Sequence, residues 1–410
     1  MGERRRTVAD ALGDPRMISV VIPHYNAPEH LARVVEAVRT QDVADEVEII
    51  VADDGSDHVP HVPDATVVSQ DDLGFRAAAA RNLGASHARG EILAFLDGDT
   101  IPEPGYLAAA ARHVAADSRA VVVGTRLTGP SRTEPQWLID AWSTTHHLST
   151  PDDTSWRFII SSVLTCSRDF FERIGGFDGS FIGYGGEDWE FGFRAWNAGA
   201  TFVHEPAAVA VHDEDDFGGR FPDPAEEARV KNVETTALAH RITHPIARPS
   251  GVRFGTTDLS VYLAHHPEFD SPGVLELVVS SWLALDATIY LNSALDIPDL
   301  FRTDPRVRLY PATGYSSISD HRISVDVDGA FVLDSAERFH RLLRETKDGL
   351  FVQLSPSHSS TSPTLTIRSH RSRILRTLPR TLDGSDSSLA EFGLSLFDGP
   401  VRLERRFAGW

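Results

Sequence analysis

The sequence predicts an α/β protein, with a Rossmann-like, mostly parallel sheet in a first domain and a smaller α/β domain after it. Short apolar runs alternate with helical patterns from residue 18 to about residue 212. Most of these runs are continuous, as in parallel strands that are buried on both faces. The length of 410 residues corresponds to two or three domains at about 150 residues each.

The chain opens with one predicted βαβ unit. A strand at 18–23 ends in proline, a helix at 28–40 has apolar residues at helical spacing, and a second strand covers 47–52. Such a unit is expected to be right-handed, with ligands at the carboxyl ends of its strands.

The same alternation continues along the chain and changes in composition near 245–251. In the first part the sequence predicts helices at 75–88, 106–116, 167–174 and 187–197, and strands at 92–96, 120–124 and 207–211. In the second part it predicts helices at 274–285 and 335–345, and strands at 288–291, 307–310 and 323–327.

These patterns give four expected segments. They are a flexible tail at 1–16, a first domain at 17–245, an accessory α/β domain at 252–354 and a C-terminal extension at 364–410 that packs on the accessory domain. A Ser/Pro-rich stretch at 355–363 predicts the linker before the extension.

The charge balance excludes some partners. The chain has 39 basic and 59 acidic side chains, a net charge of −20, which argues against nucleic acid and against anionic lipid surfaces. A nucleotide that is carried with a divalent cation is still compatible with this charge. Cys166 is the single cysteine, and no apolar run reaches the length of a signal core or a membrane span. We therefore expect a cytoplasmic protein with no membrane span.

Two pairs of carboxylates follow predicted strands of the first domain. Asp53 and Asp54 follow the second strand, where a carboxylate can bind a nucleobase or ribose, although the Asp-Gly-Ser sequence is also typical of a turn. Asp97 and Asp99 follow the strand at 92–96 and offer oxygen ligands to Mg²⁺ or Mn²⁺, with Gly98 leaving the backbone open to a ligand.

A third acidic motif, Glu187 and Asp188, follows two glycines at a predicted helix N-terminus. These acids could cap the helix, or one could be a general base for an acceptor hydroxyl. His212 ends the next predicted strand and could be a metal ligand or a structural histidine. Trp156, Tyr184 and Trp189 are candidates for stacking on a sugar, although such residues also form cores.

Taken together, these segments resemble family 2 glycosyltransferases with the GT-A fold. The resemblance covers roughly residues 17–216, and its second half resembles galactosyltransferase-like and chondroitin-polymerase-like members. The matching segments are VVIPHYN at 20–26, VADDGS at 51–56, GFR at 74–76, ARNLG at 80–84, FLDGD at 95–99, GGEDWEF at 185–191, and His212.

The resemblance implies a role for each matching residue. Asp188 would be the catalytic base and Glu187 would orient the acceptor or the donor sugar. Asp99 and His212, with Asp97, would hold Mn²⁺ or Mg²⁺. The donor pocket would be formed by Pro23, Tyr25, Asn26, Asp54, Arg81, Asp97 and Gly98.

The implied activity is an inverting transfer of a hexose from a UDP-sugar to a hydroxyl of a glycan, a peptide or a small natural product. Two alternatives are a nucleotidyltransferase of similar fold and a non-catalytic scaffold that binds a nucleotide or sugar. The glycine-rich, basic phosphate loop expected for a nucleotidyltransferase is missing after the first strand, which ends in Pro23.

The accessory domain shows a faint second set of these patterns. Asp326 and Asp328 imitate a metal motif, but the polar and apolar residues of 323–328 alternate as in an ordinary half-buried strand. We therefore expect an acceptor-binding or dimerising domain, with a degenerate GT-A-like copy as one form of it. A homodimer would form through this C-terminal region.

Overall fold

The computed structural model describes residues 16–129, 131–213, 223–310, 321–355, 362–397 and 399–407. The predicted tail at 1–16 and linker at 355–363 lie largely outside the described residues. The chain divides into two compact units. The first unit is Met1–Trp196 with Ala200–Leu238, and the second is Asn197–Gly199 with Ala239–Trp410.

The first unit is built from strands and helices that alternate along the chain. Its strands are β1 Met17–His24, β2 Glu46–Asp53, β3 Thr66–Ser69, β4 Ile92–Leu96, β5 Thr100–Pro102, β6 Ala120–Thr128, β7 Val163–Ser167 and β8 Thr201–His212. Its helices are α1 Pro28–Arg39, α2 Ala77–Ser86, α3 Tyr106–Ala116, α4 Gln136–Thr145, α5 Arg168–Arg173, α6 Glu187–Asn197 and α7 Pro224–Arg241.

These strands form one sheet in the order β3-β2-β1-β4-β7-β6-β8-β5. The pairs among β3, β2, β1 and β4 are parallel, and so is β6 with β8, whereas β7 and β5 pair antiparallel with their neighbours. All five residues of β4 are buried, as the continuous apolar run predicts for a strand covered on both faces. The predicted fold class is confirmed.

Several elements of the first unit differ from the prediction, because β3, β5, β7, α4 and α7 were not predicted and β6 and β8 extend beyond the predicted strands. The strand predicted at 207–211 is the second half of β8, which begins at Thr201. Pro206 interrupts the apolar pattern there, and the pairing register with β6 shifts between Gly124 and Thr125. Helix α7 was not predicted, because polar residues cover most of its surface.

The second unit also contains strands and helices in alternation. Its strands are β9 Leu259–Leu263, β10 Ala287–Asn292, β11 Val307–Tyr310, β12 Ile323–Asp328, β13 Phe331–Leu333, β14 Phe351–Ser355, β15 Thr364–Ser369, β16 Arg380–Asp383 and β17 Leu394–Leu396. Its helices are α8 Val274–Trp282, α9 Ala336–Leu342, α10 His370–Leu375, α11 Asp386–Glu391 and α12 Leu403–Phe407.

Seven of these strands form a sheet in the order β11-β10-β9-β12-β15-β14-β16, and β13 pairs with β17. The segment predicted as an extension at 364–410 is therefore part of the second fold, because β15 lies between β12 and β14. Leu365 and Ile367 are buried in β15, and they alternate with polar residues in a segment rich in arginine. The segment therefore contains no apolar run that would have predicted a strand.

Among the described residues, none of the helices combines the length and the apolar character that crossing a membrane requires.

Candidate functional site

A cavity of about 280 Å³ lies at the carboxyl edge of the first sheet. It is formed where β1, β2, β4 and β8 end, which is where open α/β sheets bind ligands. Nine residues singled out from the sequence line this one cavity: Pro23, Tyr25, Asp54, Arg81, Asp97, Gly98, Asp99, Tyr184 and His212.

Asn26 does not line the cavity but shapes the junction between β1 and α1. Its backbone N–H donates to Ser56 Oγ (2.8 Å), and its Oδ1 accepts from the backbone N–H of Asp57 (3.0 Å). Asn26 has a φ of +46°, a conformation that asparagine tolerates better than most residues. These bonds join the ends of β1 and β2.

The two acids after β2 have different surroundings. Asp53 is fully buried and accepts a hydrogen bond from Ser69 Oγ (2.8 Å), so it fixes the strand end. Asp54 lines the cavity. Its Oδ1 accepts from Gln70 Nε2 (2.5 Å), and its Oδ2 accepts from the backbone N–H of Arg76 (2.7 Å). A carboxylate held in this way is fixed in orientation before any ligand arrives.

Arg81 of α2 connects the acids of two different segments. Its guanidinium donates to Asp97 Oδ1 (2.6 Å) and to Glu187 Oε1 (3.0 Å), and the residue is only 3% exposed. Burial alone would lower the pKa of Arg81, but the carboxylates of Asp97, Glu187 and Asp188 outweigh burial and raise it. Arg81 is therefore a permanent buried cation among three acids.

The acid pair at the start of α6 is shifted toward the protonated form. Burial, and then the neighbouring Asp188 carboxylate, raises the pKa of Glu187 to about 7 even though Arg81 opposes the shift. Burial also raises the pKa of Asp188, against Arg81 and against a hydrogen bond from the backbone N–H of Ser161 to Oδ2 (3.1 Å). A carboxyl group with a raised pKa is a stronger base than an exposed one.

The raised pKa of Glu187 predicts a pH dependence of stability. The folded state holds this proton up to about pH 7, whereas the unfolded chain loses it near the ordinary value of 4.5. The carboxyl group therefore destabilises the fold increasingly as pH rises through that window. We expect the stability of Glu187→Gln, relative to the unmodified protein, to increase across it. Chemical denaturation of both proteins at several pH values measures this difference, and a constant difference would contradict the shift.

Asp99 and His212 form a pair in the cavity that could hold a cation together. His212 Nε2 lies 3.3 Å from Asp99 Oδ2, because β5 and β8 pair antiparallel and place Thr100 opposite His212. Asp97, the third predicted ligand, is hydrogen-bonded to Arg81. Within the described ranges no group of three His, Cys, Asp or Glu residues is arranged around one point to hold a metal.

Arg126 and two histidines line the cavity without having been predicted. Arg126 lies on β6 beyond the register shift, and His24 and His30 flank the β1–α1 junction. Burial lowers the pKa of His24, although Asp53 opposes this shift. The predicted strand ended at Gly124, before Arg126. A basic residue so close to the end of an apolar run was the signal that could have identified it.

A second cavity of about 380 Å³ lies beside the glycine-rich loop that precedes α6. Its apolar wall includes Phe181, Ile182 and Val233, and Tyr184 lines both cavities. Gly186 in this loop has a φ of +96°, and a side-chain carbon there would lie 2.9 Å from the Phe181 ring, so the loop needs glycine at that position.

Of the three aromatic residues singled out for stacking, only Tyr184 lines a cavity and is well exposed. Its ring lies 6.2 Å from the Phe75 ring. Trp156 is 1% exposed and donates to the Asp153 carbonyl (2.7 Å), so it belongs to the core. Trp189 packs against Trp156, with the two ring centres 6.0 Å apart.

Comparison with known proteins agrees with this geometry. Residues 19–175 match the model of glycosyl transferase family 2. Residues 148–212 match a second model, described as the N-terminal domain of galactosyltransferase. The two matches together contain the β1, β2 and β4 ends, α6 and His212.

Two curated relatives and one solved structure are similar to this chain. Chondroitin synthase of Escherichia coli is 26% identical over 282 residues, which are 59% of this chain and 40% of that protein. Validoxylamine A glucosyltransferase of Streptomyces hygroscopicus is 32% identical over 215 residues, 43% of this chain and 51% of the relative. A mannosyltransferase of Pyrobaculum calidifontis, solved with GDP-Man and Mn²⁺, is 18% identical with a TM-score of 0.42, and the match covers 57% of this chain and 67% of that one.

The chain thus spans about half or less of the length of these two curated relatives. The resemblance predicted from the sequence motifs is confirmed by the two family models. Residues 19–212 of the chain are thus similar to family 2 glycosyl transferases and, at 148–212, to the N-terminal domain of galactosyltransferase.

Proposed function

We propose that this protein is a metal-dependent, inverting glycosyltransferase. It moves a hexose from a UDP-sugar to a hydroxyl group of a glycan, a peptide or a small natural product. The observation that carries the proposal is that Asp54, Arg81, Asp97, Asp99 and His212 line one cavity, and that Arg81 also bonds Glu187, which like Asp188 lies outside the lining of that cavity.

The donor would lie along the carboxyl edge of the first sheet. Asp54, with both oxygens already hydrogen-bonded, would recognise the base, while Pro23 and Tyr25 form the adjacent wall. Arg126 lines the same cavity and supplies a guanidinium group suited to a diphosphate. Asp97 would contact the ribose and stays oriented through Arg81.

The chemistry of the Asp99 and His212 side chains fits Mn²⁺ or Mg²⁺. A carboxylate oxygen and an imidazole nitrogen, 3.3 Å apart, are suitable neighbouring ligands, and such ions commonly use one or two protein ligands together with substrate phosphates. The chemistry that a divalent cation supplies in such a site is neutralisation of charge on the departing diphosphate.

Asp188 would act as the base. It accepts the proton of the acceptor hydroxyl while that oxygen attacks the anomeric carbon and the bond to the nucleoside diphosphate breaks. One displacement inverts the configuration at this carbon and needs no covalent enzyme intermediate. Cys166 has no role in this reaction, because burial raises the pKa of its thiol to about 12 and keeps it protonated.

The acceptor would approach through the second cavity. The apolar side chains of Phe181, Ile182 and Val233 suit the less polar face of a sugar or an aglycone, and Tyr184 stands between this cavity and the donor side. Glu187, bonded to Arg81 of the donor cavity, would orient the sugar.

Binding of UDP and Mn²⁺ tests the donor site. Together they are expected to raise the melting temperature, because a ligand at about 100 times its Kd stabilises a fold by about 2.7 kcal/mol. Asp99→Ala should remove this shift, while Asp140→Ala on the exposed surface of α4 should keep it. An undiminished shift in Asp99→Ala would remove Asp99 from the cation site.

A panel of activated donors separates the three candidate functions. Release of UDP from one UDP-sugar, with transfer or slow hydrolysis, supports the glycosyltransferase. Release of pyrophosphate from a nucleoside triphosphate with a sugar phosphate would support a nucleotidyltransferase. Nucleotide binding without turnover of any donor would support a scaffold.

A further inference from the structure

The sheet of the second unit repeats the strand order of the first. The order β11-β10-β9-β12-β15-β14-β16 corresponds, strand for strand, to β3-β2-β1-β4-β7-β6-β8. Each of the six neighbouring pairs also has the same direction in both sheets: parallel pairs match parallel pairs, and the antiparallel pairs around β7 match those around β15. The same succession of crossovers is needed to build both.

The pairing registers extend this correspondence to single residues. Ile18 pairs with Ile92 between β1 and β4, and Leu259 pairs with Ile323 between β9 and β12. Counting from these pairs equates ISVVIPH at 18–24 with LSVYLAH at 259–265. It also equates Asp97-Gly98, directly after β4, with Asp328-Gly329 at the end of the matching strand β12.

A helix cap is repeated at the matching position. Ser167 lies opposite Ile92, and its side chain accepts from the backbone N–H of Phe170 (3.1 Å) at the start of α5. Ser369 lies opposite Ile323, and its side chain accepts from the backbone N–H of Ser372 (3.1 Å) at the start of α10. The residue correspondence counted from the strand pairing therefore also matches the serine caps of the two helices that follow the strands.

The same register shows which cavity residues have no polar counterpart. Thr100 pairs with His212 between β5 and β8, and Phe331 pairs with Leu396 between β13 and β17. Leu396 of the separate β13–β17 pair thus faces Phe331 as His212 faces Thr100, and Ala330, the residue after Gly329, stands where Asp99 does. Neither alanine nor leucine can ligate a cation.

The remaining site residues are lost in a similar way. Counting along β10 from its pairing with β9 places Ala294 where Asp54 stands after β2. Only residues 376–379 connect α10 to β16, so the counterpart of α6, with its two acids, is absent there.

We propose that the second unit is a duplicate of the glycosyltransferase fold of the first, from which the donor, cation and base positions have been lost. The chain then carries one transfer site, and the second unit contributes no nucleotide site of its own. This inference rests on the proposed function for what the lost positions do, and on the two sheets alone for the duplication.

Hydrogen–deuterium exchange of the full chain with UDP and Mn²⁺ tests the inference, because it assigns binding to each unit separately. We expect protection at the β1–α1 and β4–β5 junctions of the first unit, and none at the matching 264–268 and 328–334. Asp99→Ala should abolish the protection, and Asp328→Ala, at the position of the second unit that matches Asp97, should leave it unchanged. Equilibrium dialysis should find one UDP per chain.

Each outcome has a distinct meaning. Protection at 328–334, a second bound UDP, or turnover that persists in Asp99→Ala and disappears in Asp328→Ala would overturn the inference of a single site. If neither unit shows protection with UDP or with other nucleoside diphosphates, the proposed function of the first unit fails. The inference that the second unit binds no nucleotide is then still upheld.

An arginine-lined groove of about 700 Å³ distinguishes the second unit from the first. Arg341, Arg344 and Arg380 line it and are exposed, and Glu391 is its single acidic lining residue. In the described part of the chain, no carboxylate lies within ion-pair distance of these three arginines. This is notable in a protein with a net charge of −20.

The geometry of the groove points to an anionic oligosaccharide as its ligand, which we propose independently of the duplication. Several guanidinium groups along an open groove suit several carboxylates along a chain better than one small ion. Phe351 also lines the groove, and the guanidinium of Arg368 lies over its ring (3.8 Å), which places a further basic group beside the lining.

Fluorescence anisotropy with a labelled galacturonate oligosaccharide tests this site. We expect binding that weakens with salt, and that is weaker by about tenfold or more in Arg341→Ala/Arg344→Ala. Arg302→Ala/Arg308→Ala, which removes the same charge from another exposed part of this unit, should bind as the unmodified protein does. No binding at low salt, equal binding of a neutral malto-oligosaccharide, equal weakening in both variants, or tighter binding of single-stranded DNA would each overturn the proposal.

Discussion

Asp188→Asn is expected to lower sugar transfer by about 10²–10⁴-fold while nucleotide binding persists. Asparagine has the shape of aspartate and can still accept the hydrogen bond from the backbone N–H of Ser161. It cannot take up the proton of the acceptor hydroxyl. The loss should therefore appear in kcat, measured as transfer to acceptor, and not in the affinity for UDP with Mn²⁺.

A matched variant separates this loss from a general effect of removing an acid. Asp169→Asn changes an aspartate of α5 whose side chain is 85% exposed, and it should transfer sugar at the normal rate. If Asp188→Asn also turns over near the normal rate, Asp188 is not the base. A joint loss of transfer and UDP binding would instead indicate that Asp188 shapes the donor pocket.

The carboxylates at the ends of the strands could be predicted from the sequence. Strands β1 and β2 contain apolar runs and end in a polar residue, β4 is apolar throughout and is followed directly by Asp97, and parallel strands bring such ends to one edge. Asp54, Asp97 and Asp99 therefore line one cavity, as that reasoning expects.

The bridge through Arg81 could not be predicted from the sequence. Asp97 is 16 residues from Arg81 and Glu187 is 106 residues away, and no local pattern signals a contact over such a separation. The position of Arg126 in the cavity was not predicted for a different reason. The register shift at Gly124 turns the strand, and a continuous apolar pattern predicts no such shift.

The second unit was harder to predict because its helices are few and its strands carry polar residues. A buried serine interrupts the apolar residues of both β9 (Ser260) and β12 (Ser324). The strand β12 was predicted at 323–327 from its alternating pattern, whereas β9 was not predicted. The sequence suggested a faint copy through Asp326 and Asp328, yet only the pairing register shows that Asp328 matches Asp97 and that Asp99 has no acidic match. A fold can persist after its site is lost, because the core residues that define the sheet are different from the residues at its edge.

Arg81→Leu is expected to destabilise the first unit by about 3–5 kcal/mol at pH 8, the usual cost of removing one partner from a buried ion pair. Leucine fills part of the space, but Asp97, Glu187 and Asp188 then face one another without the cation that separates them. The cost should shrink toward pH 5, because burial has already raised the pKa of Glu187 and of Asp188 and both can take up a proton. Chemical denaturation at the two pH values measures both effects.

Two further variants show whether charge or packing causes the loss. Arg89→Leu removes an arginine whose side chain is 72% exposed and that pairs with Glu48, so it should cost no more than about 1 kcal/mol. Arg81→Leu/Glu187→Gln removes one of the facing acids and should recover part of the stability at pH 8. A loss in Arg81→Leu that is the same at both pH values, or no recovery in the double variant, would show that Arg81 acts through packing. The acids of the proposed site would then be held apart by the backbone of α6 and β4, and the guanidinium would not set their charge.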